Sequence, residues 1–153
     1  VLSGSAYPQK SYLTAYQLLS DTLYSLQAGT LQRVPQEDGE STYAPMLDKS
    51  LCPIDWSKPA REIHNQIRGL SPWPVAVTSL SGKRMKVHGS RMTGRESTLP
   101  YGTVTGVDGE ICVACGDGAV LSLLCIQAEG GKRMDASDYL RGHPIPKGTR
   151  LGE

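Results

Sequence analysis

Short strands separated by tight glycine turns are the feature that most constrains the fold of this chain. Alternating apolar and β-branched residues predict a series of strands from residue 75 onward. The predicted strands cover 75–80, 84–87, 103–107, 110–114 and 120–127. The 17 glycines, 10 prolines and absence of phenylalanine also favour this turn-rich pattern over a helical bundle. Five or six such strands, with one helix before and one after them, predict a mainly β fold that closes into a small barrel.

The chain divides into three parts along its length. Within residues 1–29, the first ten show no periodicity and predict a loop. Leucine and tyrosine then recur at spacings of three and four from Leu13 onward, which predicts a helix that ends at Gly29. Residues 30–55 contain three prolines and scattered acids without periodicity, which predicts an extended linker. The barrel domain is therefore expected over residues 56–153.

Two further helices are predicted on either side of the strands. Ser57 is expected to cap the first of them, which places Ile63 and Ile67 on its buried side. A short helix is predicted over 136–141, with Asp135 as its cap. Each helix offers one apolar side, so we expect both to pack against the barrel.

Charge is distributed unevenly along the chain, although the net charge is only +1. Residues 36–55 contain five acids and a single base, whereas residues 81–95 contain five bases and no acid. The five bases are Lys83, Arg84, Lys86, Arg91 and Arg95. Such an asymmetry can offer a positive face to a polyanion. The alternative is that these side chains only keep the solvent side of a strand pair hydrated.

Cys112 and Cys115 have the C-x-x-C spacing of some metal and redox sites. A structural zinc site needs four ligands, and no second paired spacing occurs among the other cysteines and histidines. Residues three apart on a strand also point to opposite faces. We therefore expect four free thiols and no bound metal. For His64, which lacks a carboxylate or nucleophile at helical spacing, we expect a packing role.

Several classes of function are unsupported by the sequence. No apolar stretch approaches the ~18 residues of a membrane span, and no secretory leader opens the chain, so we expect a cytoplasmic protein. Phosphate-binding glycine motifs and the serine-hydrolase motif do not occur either. We assign no catalytic residue.

Four segments together resemble the linker and C-terminal domain of the methionyl-tRNA formyltransferase family. They are TYAPMLDKSLCPIDWSKPAREIHNQIRGLSPWP (42–74), GDGAVL (116–121), GGKRMDASDYLRG (130–142) and KGTRLG (147–152). The resemblance extends over roughly residues 18–152. It implies a barrel like that of oligonucleotide/oligosaccharide-binding (OB) domains, preceded by the last helix of a catalytic domain. The Ser-Leu-Leu-Pro loop of that catalytic domain has no match here.

The family resemblance implies a role in binding initiator methionyl-tRNA, together with a catalytic domain that uses 10-formyltetrahydrofolate. No cofactor is expected to bind to this chain itself. The candidate tRNA-binding residues are Lys49, Lys83, Arg84, Lys86, Arg141, Lys147 and Arg150. Two alternatives stay open at this point: a structural barrel of another folate-dependent formyltransferase without an RNA role, and an independent binder of single strands.

Overall fold

The computed structural model describes residues 7–32, 35, 39, 46–106 and 109–153. Residues 33–34, 36–38 and 40–45 of the predicted linker, and Asp108 of one predicted turn, lie outside these residues. The described helices are α1 (Tyr7–Gln27), α2 (Ala60–Gly69) and α3 (Ala136–Gly142), with a 3₁₀ turn at Lys49–Leu51. The strands are β1 (Ala76–Leu80), β2 (Lys83–Glu96), β3 (Val104–Gly106), β4 (Ile111–Ala114), β5 (Ala119–Ala128) and β6 (Met134–Asp135).

The six strands form one antiparallel sheet in the order β1-β2-β5-β4-β3, with β6 paired to β5. Strand β2 is longer than predicted, because it continues through register shifts around Gly89 and beyond Met92. Such irregularities bend a strand and increase its twist, which lets one long strand follow a curved sheet. The sequence pattern missed this part because its residues are mostly polar and lack strict alternation.

The C-terminal segment joins the two edges of the curled sheet. Leu151 forms a bridge with Leu80 at the end of β1, and Arg150 forms one with Thr103, directly before β3. The Leu151 N–H also donates to the Gly102 carbonyl at 2.8 Å. These contacts close the sheet and, with the helices beside it, confirm the prediction of a mainly β barrel with flanking helices.

Helix α2 packs its apolar side onto the sheet, as the sequence predicted. Ile63 and Ile67 are completely buried in the same core as Val87 of β2 and Leu123 of β5. Trp56, which precedes the helix, is also buried, and its Nε1 donates to Thr78 Oγ1 at 3.0 Å. The helix therefore covers one side of the core and is anchored at its start.

Two details of helix capping differ from the prediction. Ser57 does not cap α2; its hydroxyl bonds to Asp55, and the amide of Ala60 donates instead to both carboxylate oxygens of Asp117, each at 3.2 Å. Asp117 lies in the turn between β4 and β5, so the cap comes from a distant part of the chain. Asp135 does precede α3, but its side chain makes no capping hydrogen bond.

Helix α1 confirms the predicted helix and its end near Gly29, which has a φ of +68°. The loop predicted over the first ten residues is wrong from Tyr7 onward, because the helix already begins there and Pro8 is tolerated in a first turn. Its leucines and tyrosines from Tyr12 onward are largely exposed; Tyr12, for example, retains 75% of its accessible surface. None of the helices in the described ranges combines the length and apolar character that a bilayer crossing requires.

Candidate nucleic-acid interface

The first half of β2 presents a row of basic side chains on the outside of the barrel. Met85 and Val87 are buried, so the alternation of the strand places Arg84, Lys86 and His88 on the outer face. Outward residues of the neighbouring strands flank this row, because Lys86 pairs with Val77 of β1 and Gln127 of β5. The sequence prediction of a basic strand thus corresponds to a continuous outer surface.

Four of the seven predicted residues lie around the β1–β2 hairpin. This hairpin cluster comprises Lys49, Lys83, Arg84 and Lys86. Lys49 and Arg84 line the same groove of about 460 Å³ beside β1, although they are far apart in sequence. Within the described part of the chain, none of the four side chains forms an ion pair with a carboxylate. Their charges are therefore available to an external anion.

The other three predicted residues lie elsewhere and in different surroundings. Lys147 shares a cleft with Arg95, and two carboxylates also line it. Arg141 forms an ion pair with Asp138 on the same helix. Arg150 forms one with Glu153 at 2.9 Å, and its guanidinium also lies over the ring of Tyr101 at 5.6 Å. The predicted set is thus one cluster of cations without an ion pair among the described residues, and three separate positions.

Two basic residues that the sequence prediction did not include lie close to the hairpin cluster. Lys132 lines a cavity together with Lys83 and Arg84. Arg133 donates from Nε to Cys125 Sγ at 3.1 Å on the neighbouring strand. The signal in the sequence was the Lys-Arg pair that follows the Gly130-Gly131 turn, where both basic residues are exposed.

His88 is part of the outer face but does not act as a cation there. Burial lowers its pKa, and the nearby Arg133 and Lys86 lower it further, against the opposing effect of a hydrogen bond with Gln127. The distance between His88 Nε2 and Gln127 Oε1 is 3.3 Å. A neutral ring at this position separates the positive charges on either side of it.

Arg91, farther along β2, has its charge compensated. Its guanidinium contacts Glu110 at 2.7 Å, and Ser122 donates a second hydrogen bond to the same carboxylate. The bond from Ser122 and the bonds from Arg91 hold the pKa of Glu110 below its usual value. The ion pair with Glu110 therefore removes Arg91 from the set of uncompensated cations in the basic stretch predicted from the sequence.

All four cysteines are thiols rather than disulfides, as expected. Burial, together with the charge of Asp117, raises the pKa of Cys115 to about 12, which keeps this thiol protonated. No group of three potential metal-ligating side chains occurs within the described ranges. His64 has the packing role predicted for it: its Nδ1 lies 2.9 Å from Ser90 Oγ, and burial lowers its pKa.

Comparison with known proteins places these observations in a family. The profile described as formyl transferase, C-terminal domain, matches residues 46–144. A protein named methionyl-tRNA formyltransferase from Trichlorobacter lovleyi is 47% identical over 149 residues, covering 96% of this chain and 46% of that protein. The protein of the same name from Bacillus subtilis is 39% identical over 137 residues, covering 89% of this chain and 43% of that protein.

Among solved structures, a variant of HypX from Aquifex aeolicus shares the fold, with a TM-score of 0.60 at 15% identity, covering 92% of this chain and 26% of that one. The chain spans less than half the length of these curated relatives. With the profile matched across helix α2, all six strands and helix α3, the chain belongs to the formyl transferase C-terminal domain family.

Proposed function

We propose that this chain is the tRNA-binding C-terminal portion of a methionyl-tRNA formyltransferase that acts in translation initiation in the cytoplasm. The observation that carries the proposal is the hairpin cluster, four cations from the β1–β2 hairpin and the 3₁₀ turn at Lys49–Leu51 that form no ion pair among the described residues. The curated relatives are named methionyl-tRNA formyltransferase, which supports the same proposal. In this proposal residues 56–153 form an OB-like barrel, residues 30–55 the linker, and residues 1–29 the end of the catalytic domain.

The hairpin cluster can contact the phosphate groups of a nucleic acid. Lysine and arginine on an outer strand can follow a nucleic-acid backbone, and each phosphate that they neutralise releases condensed counterions. The deep groove of an RNA duplex is closed to side chains, so recognition of a stem depends on shape and on backbone contacts. Arg141, Lys147 and Arg150 are secondary candidates. Arg141 and Arg150 must first break their ion pairs with carboxylates, and Lys147 shares its cleft with two carboxylates.

The contribution of this chain to formyl transfer is then positional. A catalytic domain using 10-formyltetrahydrofolate carries out the reaction on the amino group of methionine, and no step of it is assigned to residues of this chain. Holding the tRNA in the correct place converts a bimolecular encounter into an intramolecular one, which can account for about 7–11 kcal/mol of a reaction barrier. The exposed apolar side chains of α1 fit a helix that packs against that domain.

A titration with two labelled RNAs tests the proposal. Fluorescence anisotropy compares initiator tRNA with an unstructured RNA of equal length and charge. We expect the chain to bind initiator tRNA more tightly, because a folded stem offers phosphates at a fixed spacing to the barrel surface. Equal affinity for the two RNAs, or no binding of either at low salt, would contradict the proposal and favour a purely structural role.

A further inference from the structure

A cavity of about 300 Å³ lies at the end of the barrel beside the β1–β2 hairpin. We call it the end cavity. Its walls come from the start of β2, the turn after β5 and helix α3, and Leu80, Met85 and Met134 supply the apolar part. Its volume is at the lower end of the ~300–1,000 Å³ typical of small-ligand sites. The cavity therefore suits one small molecule or one residue of a polymer, and excludes a duplex.

One wall of the end cavity is aromatic. Tyr139 and His143, one helical turn apart, stack with ring centroids 4.6 Å apart and an angle of 10° between the planes. Tyr139 packs against the core, whereas His143 is exposed. A flat ring that is held by a second ring beneath it is a preordered surface for a nucleobase, since stacking tolerates any base.

The rim of the end cavity is positively charged. Lys83, Arg84 and Lys132 all line it, and Glu129 is the one carboxylate among the lining residues. Glu129 accepts a long bond of 3.4 Å from the backbone amide of Arg84, and forms no ion pair with the three cations among the described residues. The rim therefore carries a net positive charge, with three cations against one anion, which favours the binding of a phosphate group.

We propose that the end cavity binds a single unstacked nucleotide of the RNA, with the base at the Tyr139–His143 wall and its phosphate at the rim. The inference rests on the proposed function, because it takes the RNA as the source of the nucleotide. Sequence-specific contacts to RNA usually involve such splayed bases, since bases in a duplex are inaccessible. The hairpin cluster and the end cavity share Lys83 and Arg84. An RNA strand bound on the outer face of the barrel can therefore place one of its nucleotides in the cavity.

Titration of the full chain with mononucleotide probes, followed by amide NMR, tests the chemistry of the cavity. The probes are adenosine 5′-monophosphate (AMP), adenosine and inorganic phosphate. We expect AMP to bind at least about tenfold more tightly than either fragment, because stacking and charge act together. The shifts should be confined to the start of β2, the turn after β5 and α3. Equal affinity for phosphate and AMP, or no binding of AMP, would overturn the inference.

Two variants separate the aromatic wall from the rim. His143→Ala is expected to weaken AMP about tenfold while leaving phosphate unchanged, and this exposed position has little influence on folding. Lys132→Ala is expected to weaken AMP and phosphate equally. Lys58→Ala removes an exposed lysine that lines a different cavity, and serves as the matched control with unchanged binding. An unaltered preference for AMP in His143→Ala would overturn the assignment of the base.

A pair of RNA hairpins distinguishes the inference from the proposed function. Both hairpins carry the same short loop; one has a fully paired stem, and the stem of the other has one extra unpaired nucleotide. We expect the chain to bind the bulged hairpin about tenfold more tightly, and to lose that advantage in His143→Ala. Equal affinity for both hairpins overturns the inference and leaves the proposed function in place. Failure to bind either hairpin overturns both.

Discussion

Gly116 shows how one residue can fix the relation between two distant segments. Its amide donates to the Lys58 carbonyl at 3.0 Å, which ties the β4–β5 turn to the chain just before α2. A Cβ built at this position would lie 1.6 Å from the backbone oxygen of Ser57. Such an overlap with backbone cannot be relieved by a rotamer change, so only glycine permits this approach.

Gly116→Ala should therefore lower the free energy of unfolding by about 3 kcal/mol, since the two segments must separate to accommodate the methyl group. Urea unfolding measures this change. Gly69→Ala is the matched control, because Gly69 is helical and a methyl group added there would meet nothing within 4 Å. We expect that variant to gain up to about 1 kcal/mol. Similar stability of the two variants would contradict the close approach.

Two partly buried histidines make stability depend on pH. Burial lowers the pKa of both His64 and His88 below 6.5 in the folded protein. The unfolded chain therefore binds more protons than the folded chain as the pH falls through 6.5, and stability is lost in that direction. Asp48, Asp55 and Glu110 have lowered pKa values, so they lose their contribution to stability only at lower pH.

We expect the urea midpoint to fall between pH 7.5 and pH 5.5, and to fall less in His88→Gln, which has no titrating ring. His143→Gln is the control, because His143 is exposed and its loss should leave the slope unchanged. A midpoint that is constant over this range, or that rises toward pH 5.5, would show that folding does not lower the pKa of these two histidines.

At the scale of elements, helix α2 separates what a sequence can predict from what it cannot. The spacing of Ile63 and Ile67 predicted both the helix and its buried side, because periodicity is local information. The cap was missed, because Asp117 reaches the first turn from a residue 57 positions away. Ser57 has a residue type and a position suited to an N-cap, but its hydroxyl donates a hydrogen bond to Asp55 instead. Local propensity identified the helix, and tertiary structure chose its cap.

Asp117→Ala should lower the free energy of unfolding by about 1 kcal/mol, the usual effect of losing an N-cap. The variant leaves the amide of Ala60 without its carboxylate acceptor. Ser57→Ala, the substitution that a local capping rule would rank first, should change stability by less than about 0.5 kcal/mol. Chemical denaturation of both variants distinguishes these caps, and a larger loss in Ser57→Ala would reverse the assignment.

At the scale of the whole molecule, the barrel depends on its last residues. Leu151 is almost completely buried, and the segment that contains it connects the β1 edge to the residues before β3. The turns and strands predicted from the sequence indicated a closed barrel, but they did not show which segment closes it. A β-bridge between two single residues leaves no pattern in the sequence, because it does not require apolar and polar residues to alternate.

Leu151→Ala should lower the free energy of unfolding by about 2–5 kcal/mol, through lost burial and the cavity that remains. Leu99→Ala provides the comparison, because Leu99 is 38% exposed in a loop. We expect it to cost less than about 1 kcal/mol. Thermal and urea unfolding of the pair measure the difference, and equal small effects would show that closure by the C-terminal segment contributes little.

The candidate interface was predicted in part, for a physical reason. Composition identified the basic strand, and alternation predicts that Arg84 and Lys86 share a face. Composition does not show which cations are compensated, because Glu110 and Asp138 come into contact with Arg91 and Arg141 only in the folded chain. Composition also does not show that Lys132 lies near Lys83, because that proximity depends on the pairing of β2 with β5.

The salt dependence of initiator-tRNA binding tests the central claim most directly. With about four phosphate contacts, the logarithm of the binding constant should fall with the logarithm of salt with a slope of about −3. Arg84→Ala with Lys86→Ala should reduce that slope to about −1.5, whereas Arg91→Ala, on the same strand but already paired with Glu110, should leave it near −3. A slope near zero for the unaltered chain, or equal slopes for the two variants, would contradict an RNA-binding hairpin cluster.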